Sequence, residues 1–232
     1  MSGKIIRIIV IISAFAVILY AIVPAVKYRI QKDEIGKGIV NPDFETGDLT
    51  GWTKTGNAFD YQPTLGDNIM IRRKDKTNHQ RDWWIGGFEK YQGKPGQNPG
   101  DEQGDQPTGT LTSSPFVIKT DRIAFLIGGG RHPWVEPDGK GSCCVNLVID
   151  GKVVKTATGP DHETMNRYIW NVSKFKGKKA VIQVVDKHSG GWGHVNFDDV
   201  FQTTRWHTEK GDLIVYLWAG VLLLMVALVK RK

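Results

Sequence analysis

Four tryptophans, Trp83, Trp84, Trp134 and Trp192, are accompanied by Arg131, His132 and His194. An indole face can stack on a sugar ring, and a guanidinium or imidazole can hydrogen-bond its hydroxyls. That chemistry is weighed against packing, because large aromatics are also ordinary core residues. Trp83 and Trp84 are adjacent, so in a strand they point to opposite faces and one of them belongs to a core. His194, inside Gly190-Gly-Trp-Gly-His194, is equally suited to a satisfied polar contact in an interior.

Catalytic patterns are sparse. There is no Gly-x-Ser-x-Gly elbow and no Gly-x-x-x-x-Gly-Lys loop. Gly128-Gly-Gly130 has no nucleophile beside it and reads as a tight turn needing positive φ. The sequence therefore predicts a non-enzyme. Cys143 and Cys144 are the only cysteines, and no Cys/His spacing suits zinc. In a strand they predict one buried and one exposed thiol.

These residues need a frame, and the frame reads as β. Val145–Ile149, Asp150-Gly151 and Lys152–Ala157 predict a hairpin with a type I′ turn. Further strands are predicted at 57–61, 69–73, 83–88, 110–112, 116–118, 122–127, 168–172, 180–185 and 194–203. Many short strands without an amphipathic helix predict a sandwich or jelly roll. Residues 91–109 hold too few apolar side chains to pack and predict a long surface loop, a length usually functional or disordered.

The ends differ in kind. Residues 8–26 carry no charge and follow a short basic segment, 1–7; nineteen residues span about 28 Å as a helix. Residues 213–229 form a second apolar run before the basic tail 230–232. The alternative for the first run is a cleaved signal peptide, with Val23-Pro24-Ala25 near a cleavage position. Basic flanks at both ends predict cytoplasmic termini and a domain on the other side, joined through linkers 27–37 and 206–212. Tyr20, Tyr28, Tyr216 and Trp218 suit an outer aromatic belt. The net charge of +7 lies in these flanks, and residues 38–229 are neutral, which argues against a nucleic-acid footprint.

Two stretches carry a resemblance. Ile39-Val-Asn-Pro-Asp-Phe-Glu-Thr-Gly-Asp-Leu-Thr-Gly-Trp52 and Phe197-Asp-Asp-Val200 resemble the opening and closing segments of galactose-binding-like jelly rolls, including carbohydrate-binding modules. Gly109–Phe116, Phe125–Gly130, Cys144–Val154 and Gly190–Asp198 together resemble the non-catalytic β-sandwich module attached to bacterial fructan-hydrolase-type glycosidases. The resemblance implies an all-β jelly-roll sandwich over 38–205, here flanked by one transmembrane helix at each terminus, with no catalytic domain attached. It also implies a structural calcium ion held by Glu45 and Asp198 or Asp199, an ion that takes six to eight oxygen ligands.

Two functions are expected. The first is a non-enzymatic accessory subunit of a larger membrane complex, such as a respiratory or photosynthetic one, in a bacterial cytoplasmic membrane. Its partners would be lipids and other integral subunits, because two anchors exceed what tethering one module requires. The alternative is a membrane-anchored carbohydrate-binding protein of the cell envelope, with polysaccharide as partner.

Overall fold

The computed structural model describes residues 38–73 and 75–204. The apolar runs 8–26 and 213–229, with the linkers 27–37 and 206–212, lie outside the described residues. Among the described residues no helix is long and apolar enough to cross a membrane.

Among the described residues eleven strands, β1 (Trp52–Gly56), β2 (Thr64–Leu65), β3 (Trp83–Gly86), β4 (Gly109–Ser113), β5 (Phe116–Val117), β6 (Arg122–Gly129), β7 (Cys143–Ile149), β8 (Lys152–Ala157), β9 (His162–Asn171), β10 (Lys179–Asp186) and β11 (Val195–Thr203), build two antiparallel sheets. One has the order β1-β4-β10-β7-β8, with β5 beside β10; the other has β2-β3-β11-β6-β9. The expected all-β sandwich is present.

Alternation along the strands creates the core. Cys143, Val145, Leu147 and Ile149 on β7 face Phe125 and Ile127 on β6 and Phe197 on β11 in one buried cluster. The opening segment seals one edge. Phe44 packs 5.2 Å from Trp52, whose Nε1 donates to the carbonyls of Val40 and Asn41. The amide of Val200 donates to the Pro42 carbonyl at 3.0 Å, so the first and last segments meet as the resemblance implied.

The predicted hairpin is formed. Asp150 and Gly151 both have positive φ, 50° and 74°, as a type I′ turn requires. Residues 69–73 are not a strand but part of a short helix, α1 (Asn68–Arg73). Asp67 Oδ1 accepts the amide of Met70 at 3.2 Å, which caps the first turn. Ile69 then faces inward, while Met70 and Ile71 are exposed. Residues 57–61 are a turn, and the strand lies just before them as β1. Both thiols are buried, against the expected split. Cys144 does point to the outer face, but Asn146 and Val185 beside it are buried too, so that face is not solvated there.

The domain has two poles. β11 starts beside the end of β6, with Val195 opposite Gly129, and finishes with Thr203 opposite Arg122. Gly38 lies against Gln202, and Arg122 Nη1 donates to the Thr204 carbonyl. The described segment thus begins and ends beside the finishing end of β11, about 26 Å from the start of that strand at ~3.3 Å per residue. The loops 130–142, 158–161 and 187–194 gather at the opposite pole.

Candidate functional site

The loop pole brings together four of the seven sequence-selected residues at or near the surface. Gly130 makes this possible. Its amide donates to the His194 carbonyl at 2.9 Å, and a Cβ there would sit 1.9 Å from the Trp192 carbonyl oxygen. Only glycine lets loop 187–194 lie this close to the end of β6. The tight turn expected at Gly128–Gly130 is not formed: Gly128 and Gly129 end β6 and pair in the sheet, and of the three only Gly129 has positive φ, 80°.

Arg131 follows immediately and is exposed. Its amide donates to Asp161 Oδ1 at 2.7 Å and its Nη2 to the Pro160 carbonyl at 3.2 Å. His132 stacks on His188 with ring centroids 3.7 Å apart and 24° between planes. Trp192 is half-buried at φ 59°, its ring 5.8 Å from that of His194. Trp134 folds over Gly139 within its own loop, and its Nε1 is buried without a partner. The arrangement offers flat π faces beside a guanidinium and two imidazoles. Such a set can grip a polyol by stacking and hydrogen bonding.

His194 lies beneath this surface and is 2% exposed. Its Nδ1 is 2.7 Å from Asp105 Oδ1 and its Nε2 is 3.2 Å from Glu163 Oε2. Burial alone would lower its pKa, but the bonds to Asp105 and Glu163 and their charges outweigh that and raise it to about 9. Burial acts upward on Glu163, yet His194, Asn196 and Arg72 bring it down to about 2. Arg72 of α1 joins Glu163 at 3.3 Å and Glu89 at 2.6 Å. Burial pushes Glu89 upward despite Arg72. The network lies mostly beneath the surface, with Asp105 22% and Arg72 14% exposed.

Trp83 and Trp84 are not at the pole. Trp84 is fully buried on the outer face of its sheet with Ile69, Leu126 and Met165, and its Nε1 donates to Gly66. Trp83 packs against the central core and Gly47. Both are packing residues, because α1 covers the outer face as the second sheet covers the inner one.

The expected calcium set does not converge. Glu45 Oε1 accepts the amides of Asp82 and Trp83. Asp198 accepts the amides of Asp199 and Gln80. Asp199 is ion-paired with Arg167. Among the described residues no group of three His, Cys, Asp or Glu could hold a metal ion. Each of these carboxylates instead accepts hydrogen bonds from the protein itself.

Sequence reasoning missed His188, Asp105, Glu163, Arg72 and Glu89. The loop 91–109 was a partial signal, since it carries Asp105. It is held by Gln103, which donates to Ala58 and Gly87, and by Gln106, which donates to Ser189.

The fold and the pole define a two-sheet β-sandwich with an exposed aromatic and basic loop surface. No family model matches the sequence. The chain is similar to the Aspergillus rugulosus protein named "Putative glycosyl hydrolase ecdE", at 33% identity over 173 residues, 72% of this chain and 21% of that protein. The chain thus spans about a fifth of the length of the curated relative it matches. Solved structures similar to it include TmCBM61 in complex with β-1,4-galactotriose, at 15% identity and TM-score 0.44, covering 72% of this chain and 98% of that one. A CBM35 from Paenibacillus barcinonensis is similar at 11% identity and TM-score 0.31, covering 68% and 95%. The expected likeness to carbohydrate-binding sandwiches is found.

The match corrects the first functional expectation. An accessory subunit of a membrane complex was inferred from two apolar ends and a neutral domain, features that do not discriminate what the domain meets. The sequence relative is instead named for glycoside hydrolysis.

Proposed function

We propose that the chain is a non-catalytic carbohydrate-binding protein whose sandwich engages saccharide at the loop pole. One observation carries this reading: Arg131, His132, His188 and Trp192 come from two separate loops and converge on one surface. Convergence of π faces and hydrogen-bond donors on an exposed rim is what polyol recognition needs, and packing alone does not require an exposed Arg131. The two apolar runs would anchor the chain in a membrane, with the domain on the non-cytoplasmic side.

The test is binding of the full chain, in mild detergent, to a panel of soluble polysaccharides by affinity electrophoresis and calorimetry. Retention by at least one polymer is expected. Trp192→Ala and, separately, Arg131→Ala should weaken it roughly ten-fold or more with little change in Tm. Failure to bind any neutral or charged polymer would overturn the proposal, as would full binding by both variants.

A further inference from the structure

The same pole carries a second concavity, on the side of the six-stranded sheet. It has a volume of about 440 Å³ and is lined by Thr55, Gly56, Thr108, Gly109, Asp138, Lys140 and Lys187. This lies in the size range of small-molecule sites. Its composition differs from the Trp192 surface: it contains no aromatic residue and offers hydroxyls, peptide groups and two ammonium groups.

The floor is bare backbone by necessity. Gly56 and Gly109 face each other at the ends of β1 and β4. A Cβ on Gly56 would lie 2.1 Å from the Thr108 carbonyl oxygen, and one on Gly109 would lie 2.1 Å from that of Thr55. Both positions therefore require glycine.

The wall positions charge. Lys187 is fixed through its backbone, its amide donating to Ser142 and its carbonyl accepting from Gly141. Its Nζ donates to the Asp138 carbonyl at 2.7 Å, a neutral acceptor. The Asp138 carboxylate turns to the backbone amide of Lys140 at 3.1 Å. Among the described residues neither Lys140 nor Lys187 has a carboxylate within ion-pair distance. Two ammonium groups thus line a cleft whose one acid is turned to backbone. Lys187 is followed directly by His188, the partner of His132, so the cleft and the proposed binding surface adjoin.

We infer that this cleft is a second subsite that takes an anionic sugar unit, a carboxylate-, sulfate- or phosphate-bearing residue of the saccharide held at the Trp192 surface. The inference rests on the carbohydrate-binding reading and adds the charge of the ligand to it. Stacking would supply sequence-tolerant grip at one subsite, and paired ammonium groups would select an anion at the other.

The experiment is calorimetric titration of the full chain in mild detergent with neutral and uronate-containing oligosaccharides of equal length, with sulfated oligosaccharide, and with inorganic phosphate and sulfate alone. An anionic oligosaccharide should bind at least ten-fold more tightly than the neutral one, with affinity falling as salt is raised. Lys140→Gln alone should remove part of this preference, and Lys140→Gln with Lys187→Gln should abolish it while neutral binding is unchanged. Lys187→Arg should keep it. Equal affinity for neutral and charged ligands, or a preference that survives the double variant, would overturn the inference and leave the carbohydrate-binding reading standing. Inorganic anions binding as tightly as the oligosaccharides would overturn it as well, reducing the cleft to a general anion site. Loss of all binding in Trp192→Ala alone supports the linked arrangement; no binding by the unaltered chain would overturn both.

Discussion

His194 Nδ1 lies 2.7 Å from Asp105 Oδ1, joining the turn before β11 to a loop 89 residues earlier in the chain. This contact, with the opposite bond to Glu163, keeps a buried imidazole charged. It also pins the long loop 91–109 against the sandwich.

Stability should therefore depend on pH. His194 has a folded pKa of about 9 against 6.5 unfolded, so its contribution is complete below about 6.5 and lost as pH rises through 9. Glu163, at about 2 against 4.5, contributes above about 4.5 and loses this as pH falls through 2. The two describe one coupled pair, with full effect between about pH 4.5 and 6.5. Asp186 and Asp198, both pushed upward by burial, contribute a loss of stability that begins as pH rises above about 3.8. Tm should be highest in that mildly acidic window and should fall toward pH 9. Asp105→Asn should lower Tm at pH 6, by the equivalent of about 1–3 kcal/mol, and flatten the decline. It should also expose loop 91–109 to limited proteolysis. A pH-independent Tm in the parent would refute this account of the network.

Trp84 should matter for folding and Trp83 less. Trp84→Ala removes a fully buried indole packed on Ile69, Leu126 and Met165, and should cost about 3–5 kcal/mol in urea unfolding. Trp83 is half-buried, so its alanine variant should cost clearly less. Equal losses would show that α1 does not close the outer face.

The thiols should be silent in the native state. Burial first, then the neighbouring Asp186, pushes Cys143 far above the usual thiol range, and burial raises Cys144 to about 12. Neither should react with an aromatic disulfide reagent at pH 8 before unfolding, and both should react in denaturant. Rapid labelling of one thiol in the native protein would show that the outer face of β7 is open.

Features set by neighbours in sequence were legible without coordinates. The Asp150-Gly151 turn follows from two residues that tolerate positive φ, and β7 and β8 follow from the runs around it. Near-neighbour patterns failed where one signal had two readings. Ile69-Met-Ile71 resembles a strand, but the Asp67 cap and the inward spacing of Ile69 and Arg72 make it helical. Burial of both cysteines was hidden because alternation assigns faces without saying which face is covered.

Arg131, His132, Trp134 and His194 stand out by residue type, and type alone does not separate rim from interior. The sequence by itself determined a two-sheet β domain between apolar ends, and the glycine-rich turns near its aromatic residues. Only the tertiary structure decided that Trp84 is covered, that His188 stacks on His132, and that His194 meets Glu163 31 residues before it and Asp105 89 before it. The physical reason is range. Backbone propensity and side-chain alternation act over a few residues, whereas strand pairing between β6, β9 and β11 juxtaposes groups whose separation along the chain carries no periodic trace.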